Sequence, residues 1–371
     1  MKILMIIPSV SKKWGGTTSS LKNFYYGLTK IVNVKCEIVS TYTENEKNEI
    51  DTVLLNNSDF KLFETKSEGW RYSKELKDYL RENIKDFDLV WIHAIWTGTS
   101  FFASRYAKKF NIPYIVTPHG MIKSDALQRK GLKKKIYWTL IEKNVFDNAS
   151  AIHCITESEK IYSDDLSKTR AFVIPNGITN EIFLEKDYSK LNSISFIGRF
   201  HEIKALDLLL KSLVNIENLN LIVAGGGEKE YEEYIYNLVK ELKLENRVIL
   251  KGFANDEIKR EIFEKSLFLV LPSYTEGLSM VGLEAIMNST PVLTTEKCNF
   301  NEVQECNAGI VIKDNKPATI EKYIKIMLEA DLEVMSKNAY NLALEKFSID
   351  SVSQNIYKEF EKIINETSKP K

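Results

Sequence analysis

Two carboxylates, Glu276 and Glu284, lie in the stretch Leu-Pro-Ser-Tyr-Thr-Glu-Gly-Leu-Ser-Met-Val-Gly-Leu-Glu-Ala, Leu271 to Ala285. On one continuous helix this spacing would hold them about 12 Å apart. Pro272 and Gly277 break the chain, however, and Ser279 can cap a helix that begins near Met280. With a loop between them, the two acids can converge on one small molecule. The apolar run Leu267 to Leu271 reads as a strand buried on both faces. A strand, a glycine-containing turn and a free helix N-terminus together make a phosphate site, with carboxylates nearby for hydroxyl groups.

Other stretches could serve the same ligand. Gly198-Arg199-Phe200-His201-Glu202-Ile203-Lys204 follows an apolar run and carries two cations suited to a diphosphate, Arg199 gripping two oxygens and Lys204 supplying a compact charge. A lysine opening a helix opposes the dipole unless an anion is near; the alternative is a solvated loop. Gly15-Gly16 precedes Thr17-Thr18-Ser19-Ser20, where helix amides can bind an anion, although a plain strand-to-helix turn reads equally well without the full GxGxxG pattern. Gly225-Gly226-Gly227 implies a backbone that something approaches closely, or a loose turn. His119, before Gly120, ends a run at Thr117-Pro118; His93 ends another and is a weaker candidate, while His153 sits inside a strand. Asp86-Phe87-Asp88 has DxD spacing but precedes its strand, so it reads as a solvated turn, and no structural or catalytic metal is expected. Lys130, Lys133, Lys134 and Lys135 beside Tyr137 and Trp138 fit either a solvated helix face or docking on an anionic membrane surface.

These residues need elements to position them. Apolar runs alternate with helical patterns throughout, which predicts an α/β architecture with parallel sheets. Strands are expected at 2–7, 34–40, 59–63, 88–93, 113–117, 150–155 and 171–174, with helices at 17–31, 71–84, 99–110 and 124–147. After the polar stretch Glu181 to Asn192, read as the linker, strands recur at 193–197, 219–224, 247–251, 266–271, 290–294 and 309–312. Helices are expected between them at 204–214, 229–243, 255–264, 280–288 and 299–306. The reading is two Rossmann-like domains, 1–185 and 186–347, facing across a cleft, with a helix over 348–371 crossing back to the first. A chain of 371 residues has room for both cores. Balanced charge, 51 basic and 51 acidic residues, argues against a nucleic-acid partner. Cys36, Cys154, Cys298 and Cys306 lack metal or paired spacing and fit reduced thiols of a cytoplasmic protein. No run is long and apolar enough to span a membrane.

Taken together, these residues resemble the retaining glycosyltransferases of family 4, which have the GT-B fold. The most specific piece is Glu276…Glu284, which matches the E-x7-E motif, followed in support by Gly15-Gly16, His119-Gly120, Pro175-Asn176-Gly177, Gly198-Arg199, Lys204 and Gly225-Gly226-Gly227. The resemblance spans nearly the whole chain. It implies that Glu284 binds the ribose of a nucleotide-sugar donor, a UDP- or GDP-sugar, and that Glu276 contacts the sugar. Arg199 and Lys204 would hold the diphosphate, and Gly15, Gly16, Gly226, Ser279, Met280 and Val281 would complete the cradle. His119 would lie over the sugar, giving Glu276, His119, Arg199 and Lys204 as the catalytic set without a cofactor. The implied reaction is sugar transfer with retention to a saccharide or lipid-linked saccharide, in bacterial surface polysaccharide synthesis such as O-antigen or capsule, in the cytoplasm or peripherally on the inner membrane face. Ser279 and Ala205 stand where the family commonly has glycine, and Leu278 replaces an aromatic, which puts the sugar's identity in question. Two alternatives are a nucleotide-sugar epimerase of the same architecture and a catalytically silent nucleotide-sugar-binding subunit.

Overall fold

The computed structural model describes residues 1–11, 14–50, 57–122 and 135–367. The chain divides into two compact units, Met1–Gly177 with Ile349–Lys371, and Ile178–Ser348. Residues 178–185, read from sequence as the end of the first domain, therefore group with the second unit. Ile178 N–H donates to Phe347 O there, at 2.8 Å.

In the first unit seven strands form one parallel sheet: β1 (Lys2–Ile7), β2 (Lys35–Tyr42), β3 (Phe60–Glu64), β4 (Leu89–His93), β5 (Tyr114–Thr117), β6 (Ala151–Cys154) and β7 (Ala171–Val173). Their order is β3-β2-β1-β4-β5-β6-β7. Ile3 to Ile7 and Leu89 to His93 are wholly inaccessible to solvent. A parallel strand with helices over both faces has no wet side, which is why these runs are continuously apolar rather than alternating. The helix Ile349–Thr367 belongs to this unit, and its Val352, Ile356, Phe360 and Ile363 join a core containing Ile3, Phe24 and Trp91. Phe360 meets Trp91 edge-on at 5.0 Å between ring centroids. A Cβ on Gly27 would lie 2.0 Å from the Ser353 hydroxyl oxygen, so Gly27 is what lets the Gly16–Thr29 helix approach this last one.

The second unit repeats the scheme with β8 (Ser193–Ile197), β9 (Asn220–Ala224), β10 (Val248–Leu250), β11 (Leu269–Leu271), β12 (Val292–Thr295) and β13 (Gly309–Ile312), ordered β10-β9-β8-β11-β12-β13. In each sheet the order reverses once, beside β1 and β4 in the first and beside β8 and β11 in the second. Open α/β sheets bind ligands outside the carboxyl ends of strands at such reversals. Those ends are Ile7 and His93, and Ile197 and Leu271.

Three elements differ from expectation. The helix expected over 204–214 is a 3-10 turn, Glu202–Lys204, and a separate helix, Leu206–Ser212, divided at Ala205 with φ 54°. A left-handed conformation strains any residue with a Cβ by roughly 1–2 kcal/mol. Ala205→Gly is therefore expected to raise the chemical denaturation midpoint, by up to about 1 kcal/mol of stability once the extra freedom of glycine in the unfolded chain is deducted. A lowered midpoint would show that the buried methyl matters more than the strain. Second, a helix at Glu157–Leu166 was not expected, although Thr156 and Glu159 form the T-x-x-E pattern that starts helices. Third, the helix expected over 124–147 is described only from residue 135, and contains a π turn at Trp138–Glu142.

Candidate active site

In the second unit, β11 delivers the chain into the turn that carries Glu276. Asn299 clamps this turn, its side-chain amide donating to the carbonyls of Glu276 at 2.8 Å and Gly277 at 2.9 Å. Glu276 N–H donates to Lys297 O at 3.0 Å. The Glu276 carboxylate pairs with Lys204 through Oε1, which also accepts from the Ser273 hydroxyl at 3.0 Å. Lys204 and Glu276 are thus brought together from positions 72 residues apart. Ser279 caps the Met280–Met287 helix, accepting from Gly282 N–H at 3.4 Å, as its sequence position predicts. Met280 and Val281 occupy the first turn, so their amides are among those left free by the helix.

Glu284 sits one turn deeper in that helix. Its Oε1 accepts from Lys259 at 2.9 Å, while Oε2 is buried with no hydrogen-bond partner among the described residues. Burial pushes the Glu284 carboxyl above its usual range, and Lys259 works against that shift. Burial opposes the Lys259 charge too, but Glu284 and Asp256 outweigh it and hold the ammonium protonated. Lys259 was not singled out from sequence, because nothing local marks it among the charges of the Asp256–Glu264 helix.

Arg199 follows β8. It is exposed and makes no ion pair or hydrogen bond through its side chain among the described residues. The glycine run after β9 lies against this loop. A Cβ on Gly225 would fall 1.8 Å from the Gly198 carbonyl oxygen, and one on Gly227 would fall 2.0 Å from that of Phe200. Phe200 N–H donates to Gly226 O at 2.8 Å. The close approach expected at these glycines is made by the chain's own Arg199 loop, which gives the run a structural reason independent of any ligand.

In the first unit the Gly16–Thr29 helix starts from Gly15, at φ 49° and with no side-chain cap. Among the described residues no atom lies within 4 Å of the position a Gly15 Cβ would take. One supporting cluster was not legible in sequence. Arg71 and Glu46, both 5% exposed, form a bidentate pair at 2.5 and 2.7 Å. Glu46 also accepts from Thr43 N–H at 3.0 Å and the Ser11 hydroxyl at 3.3 Å. Arg71 lies 5.5 Å from the ring of Trp14, the neighbour of Gly15. Loops after β1, β2 and β3 are thereby tied together. Burial alone would raise the Glu46 carboxyl, but Arg71 and the Thr43 amide hold it down at about 2.

His119 follows β5 at φ 54° and its Nε2 lies 3.0 Å from His93 Nδ1. Glu159, in the unexpected helix, accepts from Gly120 N–H and, at 2.9 Å, from Ile155 N–H, bracing the turn that holds His119. Asp88 of the DxD stretch accepts from Lys2 N–H at 2.7 Å before β4, at the opposite edge of the sheet. Of the basic cluster, Lys130, Lys133 and Lys134 lie outside the described residues. Lys135 is exposed, but Trp138 packs inward on Phe146 at 5.1 Å and Trp96 at 5.9 Å, and Tyr137 on Trp70 at 5.4 Å. The exposed apolar residues of this stretch are instead Ile136 and Leu140. These two aromatics thus pack against other rings of the first unit. No helix among the described residues is long and apolar enough to cross a membrane.

Two parallel-sheet Rossmann-like units, with their candidate residues at the carboxyl edges of the strands, define a GT-B glycosyltransferase fold. Residues 14–181 match the family model Glycosyltransferase Family 4 and residues 178–342 match Glycosyl transferases group 1, and the chain belongs to this family of glycosyltransferases. An uncharacterized glycosyltransferase of Methanocaldococcus jannaschii is 29% identical over 370 residues, 98% of this chain and 99% of that protein. The Campylobacter jejuni GalNAc-alpha-(1->4)-GalNAc-alpha-(1->3)-diNAcBac-PP-undecaprenol alpha-1,4-N-acetyl-D-galactosaminyltransferase is 25% identical over 251 residues, 65% of this chain and 62% of that enzyme. Among solved structures, Anabaena Alr3699/HepE in complex with UDP has a TM-score of 0.79 at 16% identity, covering 98% of this chain and all (100%) of that one. The lipopolysaccharide outer core galactosyltransferase WaaB has a TM-score of 0.70 at 16% identity, with the same coverage, 98% and 100%.

Proposed function

We propose that this glycosyltransferase moves a sugar from a nucleotide-diphosphate sugar to a saccharide or lipid-linked saccharide, with retention and without a metal. The observation that carries the reading is Arg199, an exposed cation with no side-chain partner among the described residues, at the end of β8 on the sheet edge that also carries the Lys204–Glu276 pair and the Met280–Met287 helix start. In glycosyl transfer negative charge builds on the departing diphosphate while the anomeric carbon gains oxocarbenium character. Fixed cations and helix amides aimed at the phosphates stabilise that charge. Arg199 and Lys204 take this role. Glu284, with one oxygen held by Lys259 and the other without a partner among the described residues, accepts from a ribose hydroxyl. Glu276 serves the sugar, and within the first unit the family resemblance assigns His119 to the sugar and the Gly16 amide to the phosphate.

A UDP-linked donor is supported by the structural neighbour HepE, whose structures hold UDP, UDP with glucose, and UDP-glucose. A lipid-linked acceptor, and a place in surface polysaccharide synthesis, draw support from the names of the Campylobacter enzyme and WaaB. The test is a thermal-shift screen of UDP, GDP and other nucleoside diphosphates, followed by a donor panel with product analysis. A diphosphate at one hundred times its Kd stabilises the folded chain by about 2.7 kcal/mol. If no diphosphate raises Tm and no nucleotide sugar is turned over, the reading fails.

A further inference from the structure

We propose that His93 is a positioning residue that fixes the tautomer of His119, donating Nδ1–H to His119 Nε2 so that His119 keeps its own proton on Nδ1 as a donor to a sugar oxygen. This rests on the reading above that His119 contacts the donor sugar. The two imidazoles are 3.0 Å apart between those nitrogens, with rings 24° from parallel. One of the pair must supply the N–H. The other nitrogen of His93, Nε2, is buried and has no partner among the described residues. A proton on Nε2 would leave a buried N–H with no acceptor, whereas a proton on Nδ1 leaves only an unused lone pair. Orphaned buried N–H groups are the rarer and costlier of the two.

His153 cannot take over the donation. Its Nε2–H donates to Ile174 O at 2.8 Å, and its Nδ1 accepts from the Thr117 hydroxyl at 2.9 Å, whose oxygen accepts from Trp91 Nε1–H at 2.7 Å. Burial keeps His119 neutral, its pKa pushed down to about 3 with help from His153. The base of the His119 ring is held by its left-handed backbone and the Glu159 contact to Gly120, so the tautomer is the variable left for a neighbour to set. His119 Nδ1 has no partner among the described residues, and the residue is partly exposed.

The test is 15N NMR of the intact chain labelled at histidine, with donor kinetics of His93→Phe and His93→Asn. The expected wild-type spectrum shows His119 protonated on Nδ1. His93→Phe, which keeps a buried ring but has no donor, is expected to give mixed tautomers and about a tenfold loss of kcat/KM. His93→Asn, whose amide can stand where Nδ1–H stood, is expected to stay within about threefold of wild type. His119 protonated on Nε2 in the wild type overturns the inference without recourse to any variant, as does His93→Asn falling as far as His93→Phe. His119→Ala with unchanged transfer refutes the sugar contact itself, and so separates failure of the site reading from failure of the role given to His93.

Discussion

Arg199→Ala is expected to lower kcat for sugar transfer by about two to three orders of magnitude while leaving Tm nearly unchanged. The size follows from removing one fixed charge aimed at a developing anion, for which losses of about 10²–10³ are typical. The unchanged Tm follows from the side chain's surroundings: it is exposed and bonded to nothing among the described residues, and surface substitutions of that kind stay within about 0.5 kcal/mol. This makes Arg199 a cleaner probe than Lys204. Lys204→Ala would strip Glu276 of its ion pair as well, so its effect would mix phosphate binding with disorder of the carboxylate. Arg199→Lys should fall between wild type and alanine, since a lysine keeps the charge and loses the planar fork. Steady-state kinetics with the accepted donor, together with thermal shift by the matching nucleoside diphosphate, decide the matter. Arg199→Ala that turns over within threefold of wild type would remove Arg199 from the site.

Arg71→Met is expected to destabilise the first unit by about 3–5 kcal/mol, because it leaves Glu46 charged and buried without its partner. Glu46→Gln with Arg71→Met should recover part of the loss, since the pair is then replaced rather than broken. The pH dependence has a defined sign. In the wild type Glu46 sits at about 2, below its unfolded value of 4.5, so its contribution is present above that unfolded value and fades as pH falls toward 2. In Arg71→Met burial is opposed only by the Thr43 amide and the Ser11 hydroxyl, and is expected to raise Glu46 above its unfolded value. Its penalty is then full at high pH and is relieved as pH falls and the carboxyl takes up a proton. The stability gap between the two proteins should therefore narrow from pH 8 to pH 5 in chemical denaturation. A gap below about 1 kcal/mol, or one independent of pH, would mean that the loops after β1, β2 and β3 do not depend on this pair. Because Arg71 also lies under Trp14 beside Gly15, the variant should weaken any anion binding at the Gly16–Thr29 helix start.

Much of this protein is written locally in its chain. The continuous apolar runs at Ile3 to Ile7 and Leu89 to Ile92 announce buried parallel strands, because a strand covered on both faces has no polar alternation to keep. Ser279 before Met280 announces a helix start, and Gly15-Gly16 another. The spacing of Glu276 and Glu284 places one acid in a loop and the other in a helix, as observed. Ala205 shows where local reading fails: nothing in its neighbourhood says that the chain must turn left-handed there, since alanine otherwise favours helix. Trp138 is under-determined for a different reason. Beside a row of lysines it fits either a solvated helix face or a membrane-docking surface, and neither announces the ring contacts it makes with Phe146 and Trp96, because those partners come from other parts of the chain.

From sequence alone came the α/β class, most of the element order and the two-part organisation, carried by periodicity, turn residues and short spacings; the nucleotide-sugar roles of the candidate residues are what the family resemblance implies. Only the tertiary structure decided how those residues are held: Lys204 with Glu276, Lys259 with Glu284, Glu46 with Arg71, His93 with His119, and Glu159 under Gly120. Lys204 meets Glu276 because β8 and β11 become neighbours where the second sheet reverses, while His93 meets His119 across β4 and β5 and Glu46 meets Arg71 across β2 and β3. Side chains far apart in the chain meet only through that order, and the choice among many similar charges is made by burial and distance.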